Sequence, residues 1–274
     1  MIGQENLLRL IQKQIENDTF PKFSIIVGPK GSGKKTLVRS ISSILGSRVF
    51  TTCNTTIDAI RSVISEAHRL NGVTSVYMIA DADNMSVQAK NALLKITEEP
   101  PKSAYFIMTL EDINNTLDTI KSRGSVFYVE PYTKENIREY LSKNDTELFD
   151  LDWDDAELIV DLCETPGEAN QLLAIYFKDF YEYVELTVGK LTEVSLANAL
   201  KVADKIALKD DSEKYDLKLF WKAVLKVCGE RMIEEPEYLE WVRITSKALR
   251  KLSVRGINKQ MLFDNWVFEI RDWR

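Results

Sequence analysis

The stretch FSIIVGPKGSGKK at residues 23–35 decides the fold of this chain. Its first five residues form a compact apolar run, which is typical of a buried β-strand. A glycine-rich segment follows the run and opens a helical pattern, with Gly28, Gly31, Gly33 and Lys34. A strand, such a loop and a helix in this order predict a cradle for phosphate, because backbone N–H groups and the positive end of the helix face the anion together.

Two neighbouring lysines define what this cradle could do. Lys34 is placed to reach the β and γ phosphates of a nucleotide. The motif normally ends in a Ser or Thr whose hydroxyl holds Mg²⁺, but this chain has Lys35 there and Thr36 one place later. A helix turns by about 100° per residue, so Thr36 cannot take over that role, and Lys35 brings a cation to the place of the metal. We therefore expect a site for ATP or ADP at which Mg²⁺ is held weakly or not at all.

Apolar runs that suit strands continue to alternate with helical patterns as far as residue 130. Further strands are predicted at residues 48–52, 76–79, 104–109 and 126–129, and helices at 37–45, 57–67 and 86–98. Ser86 is the expected N-cap of the last helix, and Pro100 and Pro101 end it. Alternating strands and helices predict an α/β fold with a parallel sheet that helices cover on both faces.

The pattern changes after Pro131. Residues 133–274 carry helical periodicity and almost no strand-like alternation. We therefore predict an α/β core at residues 1–131, a small helical lid at 132–178 and a C-terminal helical oligomerisation domain at 179–274.

The composition suits a soluble globular protein, with 28% charged and 45% hydrophobic residues. No apolar run approaches the roughly 20 residues of a membrane-spanning helix, and the N-terminus lacks the layout of a secretory signal. We expect a cytoplasmic protein without membrane contact. Three scattered cysteines and a single histidine argue against a disulfide framework and against a zinc or other protein-bound metal site.

A second block of sequence carries a family resemblance. IADADNMS at 79–86, followed by AKNALLK at 89–95 and EEPP at 98–101, closely resembles the AAA+ clamp-loader subunits, namely the bacterial delta-prime and gamma/tau proteins and the replication factor C small subunits. The resemblance covers about residues 1–175 and is nearest to the delta-prime type, although the cysteine zinc module usual in the bacterial proteins is absent. It implies an AAA+ P-loop core, a helical lid and a collar-like C-terminal domain.

The resemblance also implies a degenerate nucleotide site. Active members carry Asp and then Glu at the end of the second core strand, where the Asp organises Mg²⁺ and the Glu polarises the attacking water. This chain has Ala80 and Asp81 there. Thr109 occupies the polar sensor place, and Asn170 stands where the lid usually offers a sensor arginine. We therefore expect hydrolysis at this site to be lost.

Residues 122–124, Ser-Arg-Gly, resemble the Ser-Arg-Cys motif of the family. In the family that arginine is a finger that reaches the γ-phosphate bound by the neighbouring subunit, so the resemblance implies that Arg123 acts in trans. It further implies a hetero-oligomeric assembly of the DNA polymerase III kind that acts in DNA replication. The expected partners are other clamp-loader subunits, a sliding clamp and primer–template DNA.

Lysines supply weak candidates for contact with DNA. Lys90 lies on the helix after Ser86, where a solvated side chain is the alternative. Two further sets share helix faces and could meet acidic neighbours or DNA, with a solvated face as the default interpretation: Lys201, Lys205 and Lys209, and Lys218, Lys222 and Lys226. Like charges at this spacing repel unless something offsets them.

Two other functions stay open from the sequence. A self-assembling, active AAA+ ATPase is favoured by Lys34 and Arg123 but opposed by Lys35, Ala80 and Asn170. A scaffold subunit of a replication complex that binds no nucleotide is the other. A nucleotide kinase fits poorly, because it has no use for the EEPP block or for a helical tail.

Overall fold

The structure, a computed structural model, describes residues 1–70, 72–144, 153–174, 177–207, 214–252, 254 and 256–272. The chain divides into two compact units, one formed by residues 1–142 and 164–167 and the other by residues 143–163 and 168–274. The three-part division with boundaries at 131 and 178 stays a prediction. Among the described helices, none is both long and apolar enough to cross a membrane.

The first unit is built on a five-stranded parallel sheet with the order β2-β3-β4-β1-β5. Its strands are β1 (Phe23–Val27), β2 (Val49–Cys53), β3 (Ser75–Ile79), β4 (Ala104–Leu110) and β5 (Ser125–Tyr128). Every pair of neighbouring strands in the sheet is parallel. The predicted α/β fold and the five predicted strands are therefore confirmed, with shifts of at most one residue at their ends.

Helices cover both faces of this sheet. They are α1 (Glu5–Glu16), α2 (Lys34–Ile44), α3 (Ile57–Arg69), α4 (Val87–Glu98) and the short α5 (Asp118–Lys121). A further helix, α6 (Lys134–Asn144), follows the last strand. Successive residues of β1 point to opposite faces: Ile25 packs in the hydrophobic cluster that includes α3 and α4, and Ile26 in the cluster that includes α1 and α2. A continuous apolar run such as 23–27 is the pattern that burial on both faces requires.

Local signals set the bounds of α4. The hydroxyl of Ser86 accepts a hydrogen bond from the N–H of Ala89 at 3.2 Å, which confirms the predicted N-cap. The helix ends at Glu98, two residues before Pro100. A capping serine and a proline therefore mark the two ends of the helix that connects β3 to β4.

The second unit is mainly helical. It contains α7 (Trp153–Leu162), most of α8 (Pro166–Ala174), α9 (Phe177–Lys190), α10 (Leu196–Leu200), α11 (Leu217–Arg231), α12 (Tyr238–Leu252) and α13 (Lys259–Asp272). Its core holds the aromatic side chains of α11 and α13, namely Phe220, Trp221, Phe263 and Trp266. The sequence did not predict the two-residue parallel strands β6 (Ile206–Ala207) and β7 (Tyr215–Asp216).

The lysines of α11 meet acidic side chains of the same unit. Lys218 and Lys222 bind the two carboxylate oxygens of Glu168 at 2.8 and 3.1 Å, and Lys226 lies 2.8 Å from Asp161. These pairs offset the repulsion between like charges on one helix face, so the acidic neighbours are confirmed. Lys209 lies outside the described residues.

One buried polar contact in the second unit can be tested directly. Trp266 Nε1 donates to Thr245 Oγ1 at 2.9 Å, and both residues are almost fully buried. Thr245→Val keeps the shape but leaves the indole N–H without an acceptor, so we expect the unfolding free energy to fall by about 1–3 kcal/mol. Tryptophan fluorescence during urea unfolding reports on this unit, because all five tryptophans fall within its residue ranges. Thr245→Ser keeps the acceptor and should lose clearly less; equal losses would contradict the role of the hydrogen bond.

Candidate functional site

The glycine-rich loop connects β1 to α2, as the sequence predicts. Gly31 and Gly33 have φ values of +79° and +78°, in the left-handed region that side chains other than glycine rarely adopt. Gly28 is needed for space, since a Cβ there would stand 2.8 Å from Cβ of Val129. The three glycines therefore serve the backbone path itself.

The backbone carbonyl oxygens of the loop are hydrogen-bonded to other residues, whereas two of its N–H groups find no acceptor among the described residues. The carbonyl oxygens of Lys30, Gly31 and Ser32 accept hydrogen bonds from Thr165 Oγ1 at 3.3 Å, the N–H of Gly167 at 3.0 Å and Tyr132 Oη at 2.8 Å. Among the described residues, none accepts from the N–H groups of Gly31 or Gly33.

The first N–H groups of α2 also have no partner within their own helix. Donors thus stay available at the loop while its acceptors are used, which is the pattern of an anion-binding loop. The buried Ser32 hydroxyl has no hydrogen-bond partner among the described residues either. These groups fit the phosphates of a nucleotide.

Lys34 is the first residue of α2, and its side chain is buried. Its ammonium group donates to the carbonyl oxygens of Gly28 at 2.7 Å and Pro29 at 2.9 Å, so it lies along the inside of the loop. Burial lowers the pKa of Lys34, and the nearby carboxylates, Glu111 first among them, oppose that effect. Its contact with phosphates stays a prediction.

Lys35 forms an ion pair with Asp81, with 2.6 Å between Nζ and Oδ2. Both side chains are more than half exposed, at 54% and 64%. Thr36 is exposed as well. Ala80 is half-buried and packs against the hydrophobic cluster of α1 and α2. The position that the resemblance predicts to be a metal ligand thus contributes a methyl group to the edge of this cluster.

The end of β3 is held by the neighbouring strand. Thr109, fully buried on β4, accepts a hydrogen bond at its hydroxyl from the N–H of Asp81 at 3.0 Å. Asp81 has a φ of +53°, which is unusual for a residue with a side chain. The predicted sensor threonine therefore contacts the backbone of the residue that pairs with Lys35.

Asp83 is a residue of this region that the sequence analysis missed. Its carboxylate accepts hydrogen bonds from the N–H groups of Glu111 at 2.9 Å and Asp112 at 3.2 Å and from the side chain of Asn115 at 2.9 Å. It fixes the segment after β4 to the segment after β3. An Asp four residues beyond a strand end, with polar residues after the next strand, was the signal that could have identified it.

Lys90 also holds this segment, and both of its predicted environments were wrong. The side chain is buried, and its ammonium group donates to the carbonyl oxygen of Asn115. Burial of a lysine is tolerated when the charged group finds an acceptor. Lys90 is therefore a buried residue that stabilises the segment after β4 by a hydrogen bond, rather than a solvated residue or a contact for DNA.

Arg123 lies between α5 and β5, with its side chain about one-third exposed. Its Nε and one terminal nitrogen bind the same oxygen of Glu98, at 3.0 and 2.8 Å, and the other terminal nitrogen donates to the carbonyl oxygen of Thr119 at 2.8 Å. The guanidinium group is thus held at the surface in one orientation. Glu98 belongs to the EEPP block, so two motifs of the sequence meet here.

Asn170 lies on α8 with an exposed side chain, and it belongs to the second unit. Its proposed sensor place stays a prediction. Within the described residues there is no cluster of three or more His, Cys, Asp or Glu side chains that could hold a metal ion. Lys35 and Ala80 likewise do not fit Mg²⁺ at the loop.

The close approach of Gly167 to the loop gives one prediction. A Cβ on Gly167 would stand 2.4 Å from Cα of Gly31, so Gly167→Ala must displace backbone. We expect the unfolding free energy to fall by about 1–3 kcal/mol, as in other overpacked sites. The control is Gly229→Ala in α11, where a Cβ meets nothing within 4 Å and should stabilise by about 0.5–1 kcal/mol. Chemical denaturation followed by circular dichroism measures both, and similar changes in the two variants would contradict the contact.

The hydrogen bonds of Asp83 give a second prediction for this region. Asp83→Ala removes the acceptor of the Glu111 and Asp112 N–H groups, and a hydrogen bond to a charged group contributes about 1.5–3 kcal/mol. We expect amide hydrogen exchange at these two residues to accelerate, while exchange in β1 stays slow. Glu99→Ala, which changes an exposed carboxylate at the end of α4, serves as the control. Unchanged exchange at 111 and 112 would show that Asp83 does not hold this segment.

Several known proteins are similar to this chain in sequence or in fold. A family model described as DNA polymerase III, delta subunit, matches residues 51–133. A replication factor C small subunit of Sulfolobus acidocaldarius is 27% identical over 55% of this chain and 50% of its own length. The DNA polymerase III subunit delta' of Escherichia coli K12 is 33% identical over 33% of this chain and 28% of its own. The chain thus spans half or less of these two relatives.

A solved structure extends the likeness to the whole chain at the level of the fold. The crystal structure of a DNA polymerase III gamma subunit-related protein from Thermotoga maritima matches 97% of this chain and 98% of its own, with a TM-score of 0.53 and 20% identity. The chain is thus similar to clamp-loader subunits over part of its sequence, and to the gamma subunit-related protein in its parallel-sheet fold.

Proposed function

We propose that this chain is a subunit of a sliding-clamp loader in DNA replication that does not hydrolyse ATP itself and lends Arg123 to a nucleotide on a neighbouring subunit. The observation that carries the proposal is the pairing of Lys35 with Asp81 at 2.6 Å beside Ala80. The chain keeps a phosphate loop, fills the metal position with an ammonium group, and keeps an oriented arginine elsewhere on the surface.

Loss of hydrolysis follows from the chemistry that phosphoryl transfer needs. The metal ion bridges the β and γ phosphates and neutralises charge that develops in the transition state. Ala80 offers no ligand for it, and the carboxylate of Asp81 is engaged by Lys35. A carboxylate that accepts from an ammonium group is also a poor base for polarising water. The ATP site of this subunit would therefore bind without turnover.

Arg123 has the properties that a trans-acting arginine needs. Its guanidinium group lies at the surface and is oriented by Thr119 and Glu98. On assembly, phosphate oxygens of the nucleotide on the neighbouring subunit would replace the Glu98 carboxylate as acceptors. Arg123 would then exchange one anionic acceptor for another. Planar, bidentate binding of such oxygens is what guanidinium groups do well.

The partners follow from the relatives rather than from any site on this chain. The replication factor C and DNA polymerase III subunits that it resembles suggest other loader subunits, a sliding clamp and primer–template DNA. The second, mainly helical unit is our candidate for the assembly surface. An active ATPase is the second candidate function, because Lys34 and the loop glycines are intact; turnover by the purified chain alone would favour it.

The test uses the loader reconstituted with its partner subunits. Arg123→Ala should lower ATP hydrolysis by the assembly steeply, since arginine fingers contribute about 10³–10⁵ in rate in GTPases. Size-exclusion chromatography should show unchanged assembly. Arg138→Ala is the matched control, because Arg138 also pairs with a glutamate, Glu135, on the surface of the same unit. Full ATPase activity in the Arg123 variant would overturn the trans role.

A further inference from the structure

We propose that Lys35 replaces Mg²⁺ at the glycine-rich loop, so that this chain binds the phosphates of ADP or ATP without a divalent cation. The inference deepens the proposed function and rests on the loop being a nucleotide site. It does not depend on Arg123. The ligand class is a nucleoside di- or triphosphate in its metal-free form.

The position of the ammonium group is the first argument. In a metal-dependent loop, the cation lies between the residue after the loop lysine and a carboxylate at a strand end. Here the residue after Lys34 carries the cation itself, and it lies 2.6 Å from the carboxylate of Asp81 after β3. Asp81 stands at the expected place of the water-polarising Glu, next to Ala80 at the expected metal-ligand place, so the ammonium group is held one residue away from the missing ligand.

Competition between the two cations is the second argument. Mg²⁺ demands six oxygen ligands at about 2.0–2.1 Å in an octahedron. To enter, it would have to displace Lys35 from Asp81 and leave an ammonium group beside a divalent cation. Ala80 supplies no compensating ligand, and Thr36 lies one residue further along the helix. The ammonium charge and the missing ligand at Ala80 therefore both disfavour the metal.

Lys35 can still reach a phosphate. An ammonium group has three donors, and the contact with Asp81 uses one of them. The side chain is 54% exposed, so its remaining donors face open space. The N–H groups of Gly31 and Gly33 have no acceptor among the described residues. They would donate hydrogen bonds to the other phosphate oxygens.

The charged side chains near the loop indicate that lysine ammonium groups, rather than a divalent cation, offset the negative charge of the phosphates. Glu111, Asp81 and Asp83 are the carboxylates that act on Lys34. The Asp83 carboxylate is stabilised by hydrogen bonds from backbone N–H groups, and the Asp81 carboxylate is paired with the opposite charge of Lys35. The positive charges of Lys34 and Lys35 then offset part of the negative charge of Glu111 and of the bound phosphates. Removal of either lysine increases the excess of negative charge and would weaken nucleotide binding.

The experiment measures binding of a fluorescent ADP analogue to the full chain by anisotropy, with either Mg²⁺ or EDTA. We expect the same Kd in both conditions. Lys35→Thr should weaken binding in EDTA by about tenfold, the effect of about 1.4 kcal/mol that one charge-assisted hydrogen bond supplies. Lys35→Thr combined with Ala80→Asp should regain affinity only when Mg²⁺ is present.

Lys13→Thr is the control, since it removes an exposed lysine of α1 in the same unit and should leave Kd unchanged. Much tighter wild-type binding in Mg²⁺ than in EDTA would overturn the inference, as would no binding in either condition. Unaltered binding by Lys35→Thr would do the same. All three results leave the role of Arg123 standing, because that role is measured by hydrolysis on another subunit.

Discussion

Parallel pairing of β4 with both β1 and β3 is the constraint on which the candidate site depends. It brings the carboxyl ends of three strands to one edge of the sheet, so the residues that follow them must share that edge. The N–H of Gly28 donates to the carbonyl oxygen of Leu110, and that of Asp81 to the hydroxyl of Thr109. The loop and the end of β3 are thereby fixed on either side of β4, and Lys35 can meet Asp81 only because of this.

The sequence predicts the frame of the first unit well because its signals are local. Apolar runs mark the five strands, Ser86 caps α4, and the glycine-rich loop identifies itself by composition. The side-chain contacts were less predictable. Burial of Lys90 depends on the carbonyl oxygen of Asn115, 25 residues away, and no local pattern reveals such an acceptor.

The candidate site shows the same division. Its residues could be named from the motif, and their departures from it are visible in the sequence at positions 35 and 80. The partners could not be named in advance. That Lys35 pairs with Asp81, that Glu98 holds Arg123 and that Asp83 binds two backbone N–H groups are outcomes of the chain path between elements. Motifs identify the groups that carry chemistry, while packing decides what each group touches.

The contact between Gly31 and Gly167 has a consequence for how this sequence can evolve. The two residues are far apart in the chain, yet a side chain on Gly167 would overlap the backbone of Gly31, and Gly31 itself needs its left-handed backbone angle. Neither position can drift alone toward a larger residue. Both positions are therefore confined to glycine, Gly167 by the space that Gly31 leaves and Gly31 by its own backbone angle.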